Sequence, residues 1–134
     1  MEIASYIDDL NLDFIAVKMA SKDYTLPRWP LEEAKKLITS YKHFLKLLYK
    51  YPDMNLIPTK EIAECWQQHI LYTRHYHHSC EQIFGKYYHY TLPNPACSPE
   101  DMSKLIAGYK LTQELYFDEY QREMFYKYSL NSRK

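Results

Sequence analysis

Apolar residues recur at intervals of three and four positions through most of this 134-residue chain. Such intervals place side chains on one face of an α-helix. Only two glycines are present, and seven prolines lie between the periodic segments, which favours helices joined by proline-marked loops over a sheet. The pattern predicts an all-α fold: one domain over residues 1–134, with about four or five helices bundled around a long central helix.

The first periodic segment predicts a helix from about Ser5 to Lys22. Asp8 or Asp9 would start a second, shorter helix inside it. Two prolines then stiffen a loop before the next helix, and Trp29 is expected to anchor this loop on the bundle. The apolar side chains expected to share the core face of the first segment are Ile7, Leu10, Phe14 and Val17.

Two further helices have clear boundary signals. One begins at Pro30 and ends at about Tyr51, because Pro52 cannot continue the backbone hydrogen bonds. The last one begins with Ser98 as N-cap and Pro99 in the first turn. The core face of the earlier helix is predicted to carry Ala34, Leu37, Ile38, Tyr41, Phe44, Leu45 and Leu48.

The stretch from Thr59 to Gly85 is predicted to be the central helix, and one stripe of it has unusual chemistry. The stripe is about 80° wide, which is the width of a core-facing seam. A hydrogen-bonding group buried there without a partner would cost about 1–3 kcal/mol. The hydrogen-bonding side chains of the stripe are therefore expected to bond to one another, bind a metal ion or line a pocket. The stripe consists of Ile62, Trp66, His69, Thr73, Tyr76, Cys80 and Phe84.

Histidines at and near this stripe are the candidate metal ligands. On a continuous helix, His77 lies beside the Trp66 stripe, His75 lies on the opposite face, and His78 lies between them. A site for zinc or iron would use His69 together with His89, if the chain folds back after Gly85. His69 and Cys80 are about 16 Å apart along a straight helix and cannot share one ion.

Cys80 is also a candidate nucleophile, with the nearby His77 as its base, although a packed cysteine is the commoner arrangement. No glycine-rich phosphate loop, paired-carboxylate arrangement or serine triad motif is present.

Composition narrows the class of protein. Seventeen basic and seventeen acidic side chains cancel, so no basic field favours nucleic-acid binding. The chain has neither a secretory signal nor an apolar run long enough to span a membrane. Three cysteines form no disulfide framework. We therefore expect a cytoplasmic protein, although one exported by a specialised secretion system would look the same.

A longer motif in this region resembles the core of the glycine-rich domain-containing protein-like family, without the glycine-rich part. The resemblance rests on Trp66-x-x-His69-Ile70-Leu71-x-Thr73-x-x-Tyr76-x-x-x-Cys80-x-x-x-Phe84-Gly85-x-x-x-His89. It implies a helical domain with these residues at key positions. Proteins similar to this one usually have histidine where this chain has Gln67 and Tyr90, so if the family motif binds a metal ion, two potential ligands are missing here and the site is degenerate.

Two functions follow from these observations. The first is a non-catalytic helical module that binds another protein or a second copy of itself, since fifteen tyrosines are typical of interfaces as well as of cores. The alternative is a metal-binding enzyme with a His/Cys site on the central helix. The candidate site residues for either function are Trp66, His69, Thr73, Tyr76, Cys80 and His89.

Overall fold

A computed structural model of the chain describes residues 2–89 and 98–124. In these two ranges the chain forms six α-helices and no strand, which confirms the all-α prediction. The helices are α1 (Ile3–Asp9), α2 (Asp13–Met19), α3 (Leu31–Lys50), α4 (Lys60–Leu71), α5 (Thr73–Phe84) and α6 (Pro99–Tyr120).

The long central helix of the predicted bundle is α3, and not the segment from 59 to 85. Helices α1, α2, α4 and α6 all pack against it. Its predicted core face is confirmed, because every side chain proposed for that face is buried. Buried side chains from Ala34 to Leu48 follow one side of this 20-residue helix, and this makes α3 the element that α1, α2, α4 and α6 contact.

The N-terminal segment is two short helices, α1 and α2, separated at Leu10–Leu12. At the break, Asn11 Oδ1 accepts a hydrogen bond from the Asp13 backbone N–H at 3.1 Å. The change of direction means that a single apolar stripe does not continue across the segment. Ile7 is buried, as predicted, but Val17 is 59% exposed. The buried side chains of α2 are instead Ile15, Ala16 and Met19.

The loop between α2 and α3 is held against α4 through Glu64. Trp29, which is 3% exposed, donates its indole N–H to Glu64 Oε2 at 3.1 Å. The Tyr24 hydroxyl donates to the same carboxylate oxygen. The predicted role of Trp29 as the anchor of this loop is confirmed.

Helix α6 begins as predicted, with Ser98 Oγ accepting from the Asp101 N–H at 3.1 Å. A close approach to the segment before α4 explains the glycine inside this helix. A Cβ atom at Gly108 would lie 2.9 Å from Ile57 Cγ1. One turn on, Thr112 Oγ1 accepts from the Ile57 N–H at 2.7 Å, which ties the helix to the same segment.

Candidate functional site

The predicted central helix is interrupted at Tyr72, so the prediction of one helix from 59 to 85 is wrong. Helix α4 ends at Leu71, and Tyr72 has φ −89° and ψ 71°, outside the helical region. The Tyr72 ring packs edge-on against Phe14 with 4.7 Å between centroids, and Lys18 Nζ lies 5.0 Å from its centre. These contacts with α2 accompany a break that no proline or glycine marks in the sequence. Gly85, with φ 74°, ends α5 as expected.

Four of the six candidate site residues lie together in the core despite the break. Trp66 donates its indole N–H to the Tyr76 hydroxyl at 2.9 Å, and that hydroxyl donates to the backbone carbonyl of Tyr88. The His69 ring meets the Tyr76 ring edge-on at 5.1 Å. Cys80 is buried beside them, with hydrogen bonds to Tyr76 and to the Tyr88 backbone. The polar stripe is therefore a hydrogen-bonded seam.

The other two candidates, Thr73 and His89, lie outside this seam. Both are exposed. Thr73 is the first residue of α5, directly after the break. The His89 ring packs against Tyr87 at 4.7 Å.

His75 takes the place beside His69 that the sequence had assigned to His89. His75 Nδ1 lies 2.9 Å from His69 Nε2, although a continuous helix would put His75 on the opposite face. The break at Tyr72 changes the rotation of α5 relative to α4 and brings the two rings together. The sequence gives no direct signal of this pairing, because it depends on a break with no local marker.

A chain of hydrogen bonds runs from the buried Tyr41 to the link between α1 and α2. The Tyr41 hydroxyl lies 2.8 Å from His69 Nδ1. His75 bonds to the Asn11 backbone, and this bond favours protonated His75, so the imidazole donates and the carbonyl accepts. His75 Nδ1 then accepts from His69 Nε2–H, and His69 Nδ1 accepts from the Tyr41 hydroxyl. We call this chain the Tyr41–Asn11 relay. This order of donors predicts the Nε2–H tautomer of His69.

Burial keeps the groups of the relay and the seam neutral. Desolvation, with a smaller effect from His75, lowers the pKa of His69 to about 3. Desolvation raises the pKa of Tyr41 well above its usual value. It also raises the pKa of the Cys80 thiol. At neutral pH the seam therefore holds no thiolate and no imidazolium, which makes a Cys80 nucleophile unfavourable.

Metal binding at His69 would require breaking the relay, since both of its ring nitrogens are hydrogen-bonded. Within residues 2–89 and 98–124, no group of three or more His, Cys, Asp or Glu side chains is placed to hold a metal ion. The zinc or iron site of His69 and His89 stays a prediction. Gln67 is exposed, and Tyr90 lies outside the described residues.

An apolar surface patch covers the outer end of the relay. Phe14 packs on both Tyr72 and His75, with 4.7 and 4.9 Å between ring centroids. Leu71, which is 64% exposed, precedes Tyr72 in the chain, and Val17 lies one helical turn from Phe14 on α2. We call Phe14, Val17, Leu71 and Tyr72 the corner patch. The sequence had assigned Phe14 and Val17 to the core.

The fold and the site define a small helical protein with a neutral, hydrogen-bonded core seam. A family model described as UCP032817-like matches residues 4–114. Because the match covers most of the chain, the protein belongs to this uncharacterised family, and the predicted glycine-rich domain-containing protein-like membership is wrong. No curated protein and no solved structure matches the chain.

Among the helices of residues 2–89 and 98–124, none is both long enough and apolar enough to cross a bilayer. The cytoplasmic location and the absence of nucleic-acid binding stay predictions.

Proposed function

We propose that this protein is a non-catalytic helical module that binds a partner protein through the corner patch. The observation that supports this most is the position of the patch at the helix break. Val17 and Leu71 have the two largest exposed fractions among the large hydrophobic side chains of the described ranges, 59% and 64%. Single exposed apolar residues are ordinary, but a group of them around an aromatic pair is typical of an interaction surface.

The charge beside the patch indicates what kind of partner segment would fit. Lys18 Nζ lies over the Tyr72 ring at 5.0 Å. Among the described residues Lys18 forms no ion pair with a carboxylate. A partner segment with apolar side chains and one acidic residue would cover the patch and place its carboxylate near Lys18.

The interior supports binding more than catalysis. Both nitrogens of His69 are occupied, and Trp66 and Tyr76 bond to each other. A general base or nucleophile needs a pKa suited to its task and access to substrate. Burial lowers the pKa of His69 and raises the pKa of Cys80, so neither group has a pKa suited to such a role at neutral pH. The alternative, a metal-binding enzyme, stays an untested prediction without a supporting contact in the described residues.

Site-specific photocrosslinking tests the proposal. A photoreactive phenylalanine analogue is placed at Leu71 in the native cells, and at Ile106 as a control, since Ile106 is 47% exposed and lies on α6, which contributes no residue to the patch. The crosslinked partner is then purified, and its affinity is measured for Val17→Ser, Leu71→Ser and Ile106→Ser. Circular dichroism verifies that each variant is folded.

We expect adducts at position 71 and about a tenfold or larger loss of affinity in each patch variant, because each substitution removes an apolar side chain from the interface. Ile106→Ser should bind like the wild type. Equal binding by all three variants would overturn the proposal. Adducts at position 71 formed only with a second copy of this chain would replace a partner protein with self-association.

A further inference from the structure

A groove at the opposite end of α3 from the loop of Trp29 has the size of a small-molecule site. It lies between the start of α1, the end of α3 and the end of α6, and its volume is about 430 Å³. Ligand sites in proteins usually enclose about 300–1,000 Å³. Ile3, Ile7 and Leu47 give the groove an apolar floor, and Tyr49 and Tyr120 provide aromatic walls.

One of these walls is fixed before any ligand binds. The Tyr120 ring stacks on His43 with 3.9 Å between centroids and 10° between planes. His43 is itself held by the Tyr116 hydroxyl, 2.9 Å from its Nδ1. Because Tyr120 is already ordered by these contacts, a ligand packing on it loses little side-chain entropy.

The charges at the rim favour a cation over an anion. Lys46 Nζ lies 2.6 Å from Asp8 Oδ1, and Lys50 is paired with Glu119. An anionic ligand would have to draw a lysine away from its carboxylate. The exposed Glu2 has no ion-pair partner among the described residues. Its carboxylate would attract a cation, and aromatic faces add to this attraction.

We propose that this groove binds a small apolar organic cation. The apolar body would occupy the floor between α1 and α3. The ammonium group would lie near Glu2 and against the face of Tyr49 or Tyr120. The site is separate from the corner patch, so this proposal does not depend on the proposed function.

Titrations with two matched probes test the groove. Benzyltrimethylammonium supplies a phenyl ring with a cationic group, and phenylacetate supplies the same ring with an anionic group. Binding is followed by backbone amide NMR shifts in the full chain. The variants are Glu2→Gln, which removes the rim charge, and Ala4→Phe, which fills the groove from α1. Glu32→Gln is the control, since Glu32 is an exposed carboxylate at the start of α3.

We expect the cation to shift amides of Ala4, Leu47 and Tyr120 with a dissociation constant at least about fivefold lower than that of phenylacetate. Glu2→Gln should weaken cation binding about fivefold and leave phenylacetate binding unchanged. Ala4→Phe should abolish the shifts, and Glu32→Gln should not alter them. Equal affinity for the two probes, shifts located elsewhere, or unchanged binding in Ala4→Phe would each overturn the proposal.

Discussion

Buried neutral His69 makes the folded state sensitive to acid. Its side chain is 1% exposed, and burial lowers its pKa to about 3, whereas a histidine in an unfolded chain has a pKa of about 6.5. Between these two pH values the unfolded chain binds a proton at this position and the folded chain does not. The free energy of unfolding therefore falls as the pH falls through this window, and the stabilisation is fully present above it.

The size of the effect follows from the two pKa values. At pH 5 the unfolded state gains about 2 kcal/mol from protonation of this one histidine, relative to pH 7. Typical domains have only about 5–15 kcal/mol of stability, so this is a substantial part of the total. His43 acts in the same direction, because desolvation and nearby Lys46 and Arg122 lower its pKa to about 4.

Urea unfolding at pH 7 and pH 5 measures this effect for the wild type and for His69→Gln. Glutamine is uncharged at both pH values and can both accept and donate a hydrogen bond. We expect the loss of stability on going from pH 7 to pH 5 to be about 2 kcal/mol smaller in the variant. His78→Gln is the control for the same substitution at an exposed position on α5.

The comparison uses differences between two pH values, so any general destabilisation by the substitution cancels. Equal pH dependence in the wild type and His69→Gln would refute the reasoning. So would an NMR titration of the folded protein in which the His69 imidazole takes up a proton near its ordinary pKa. The same spectra report the tautomer, which the relay predicts to be Nε2–H.

Three further predictions concern the core. Tyr41→Phe removes the donor to His69 Nδ1 and should cost about 1–3 kcal/mol of stability in urea unfolding, so an unchanged midpoint would contradict the relay. Gly108→Ala should lower the melting temperature, because the steric conflict with the segment before α4 outweighs a gain of about 1 kcal/mol in helix propensity. A higher melting temperature would show that this segment moves aside without cost. In a Cys97→Ser background, iodoacetamide should label Cys65 and Cys80 only after urea is added, as measured by mass spectrometry. Rapid labelling of the folded protein would indicate an accessible thiolate.

Sequence alone predicts the helices whose periodicity and boundary residues lie within the helix itself. Helix α3 follows from a stripe of apolar residues between two prolines, and α6 follows from Ser98 and Pro99 at its start. For α3 the apolar periodicity agrees with the packing, and for α6 the N-cap Ser98 marks the start of the helix. The contact between Trp66 and Tyr76 could also be predicted, because these two residues share a stripe in the sequence.

The break at Tyr72 could not be predicted in the same way, and the break in the N-terminal segment was expected at Asp8 or Asp9 rather than at Leu10–Leu12. Neither break contains a proline or a glycine. Tyr72 leaves the helical conformation where its ring packs on Phe14, a residue distant in sequence. Tertiary contacts of this kind override local helix propensity. The pairing of His69 with His75 and the exposure of the corner patch both follow from these breaks, so both were missed.

The Tyr41–Asn11 relay also has a consequence for the cooperativity of unfolding. It joins α3, α4, α5 and the link between α1 and α2 through consecutive hydrogen bonds. If the two N-terminal helices detached, His75 would lose its hydrogen-bond acceptor at Asn11. The donor and acceptor roles of His69 and Tyr41 would then no longer be fixed. Opening of the N-terminal segment is thereby coupled to the centre of the bundle, and amides of α2 and α5 should exchange with solvent hydrogen in the same cooperative unit.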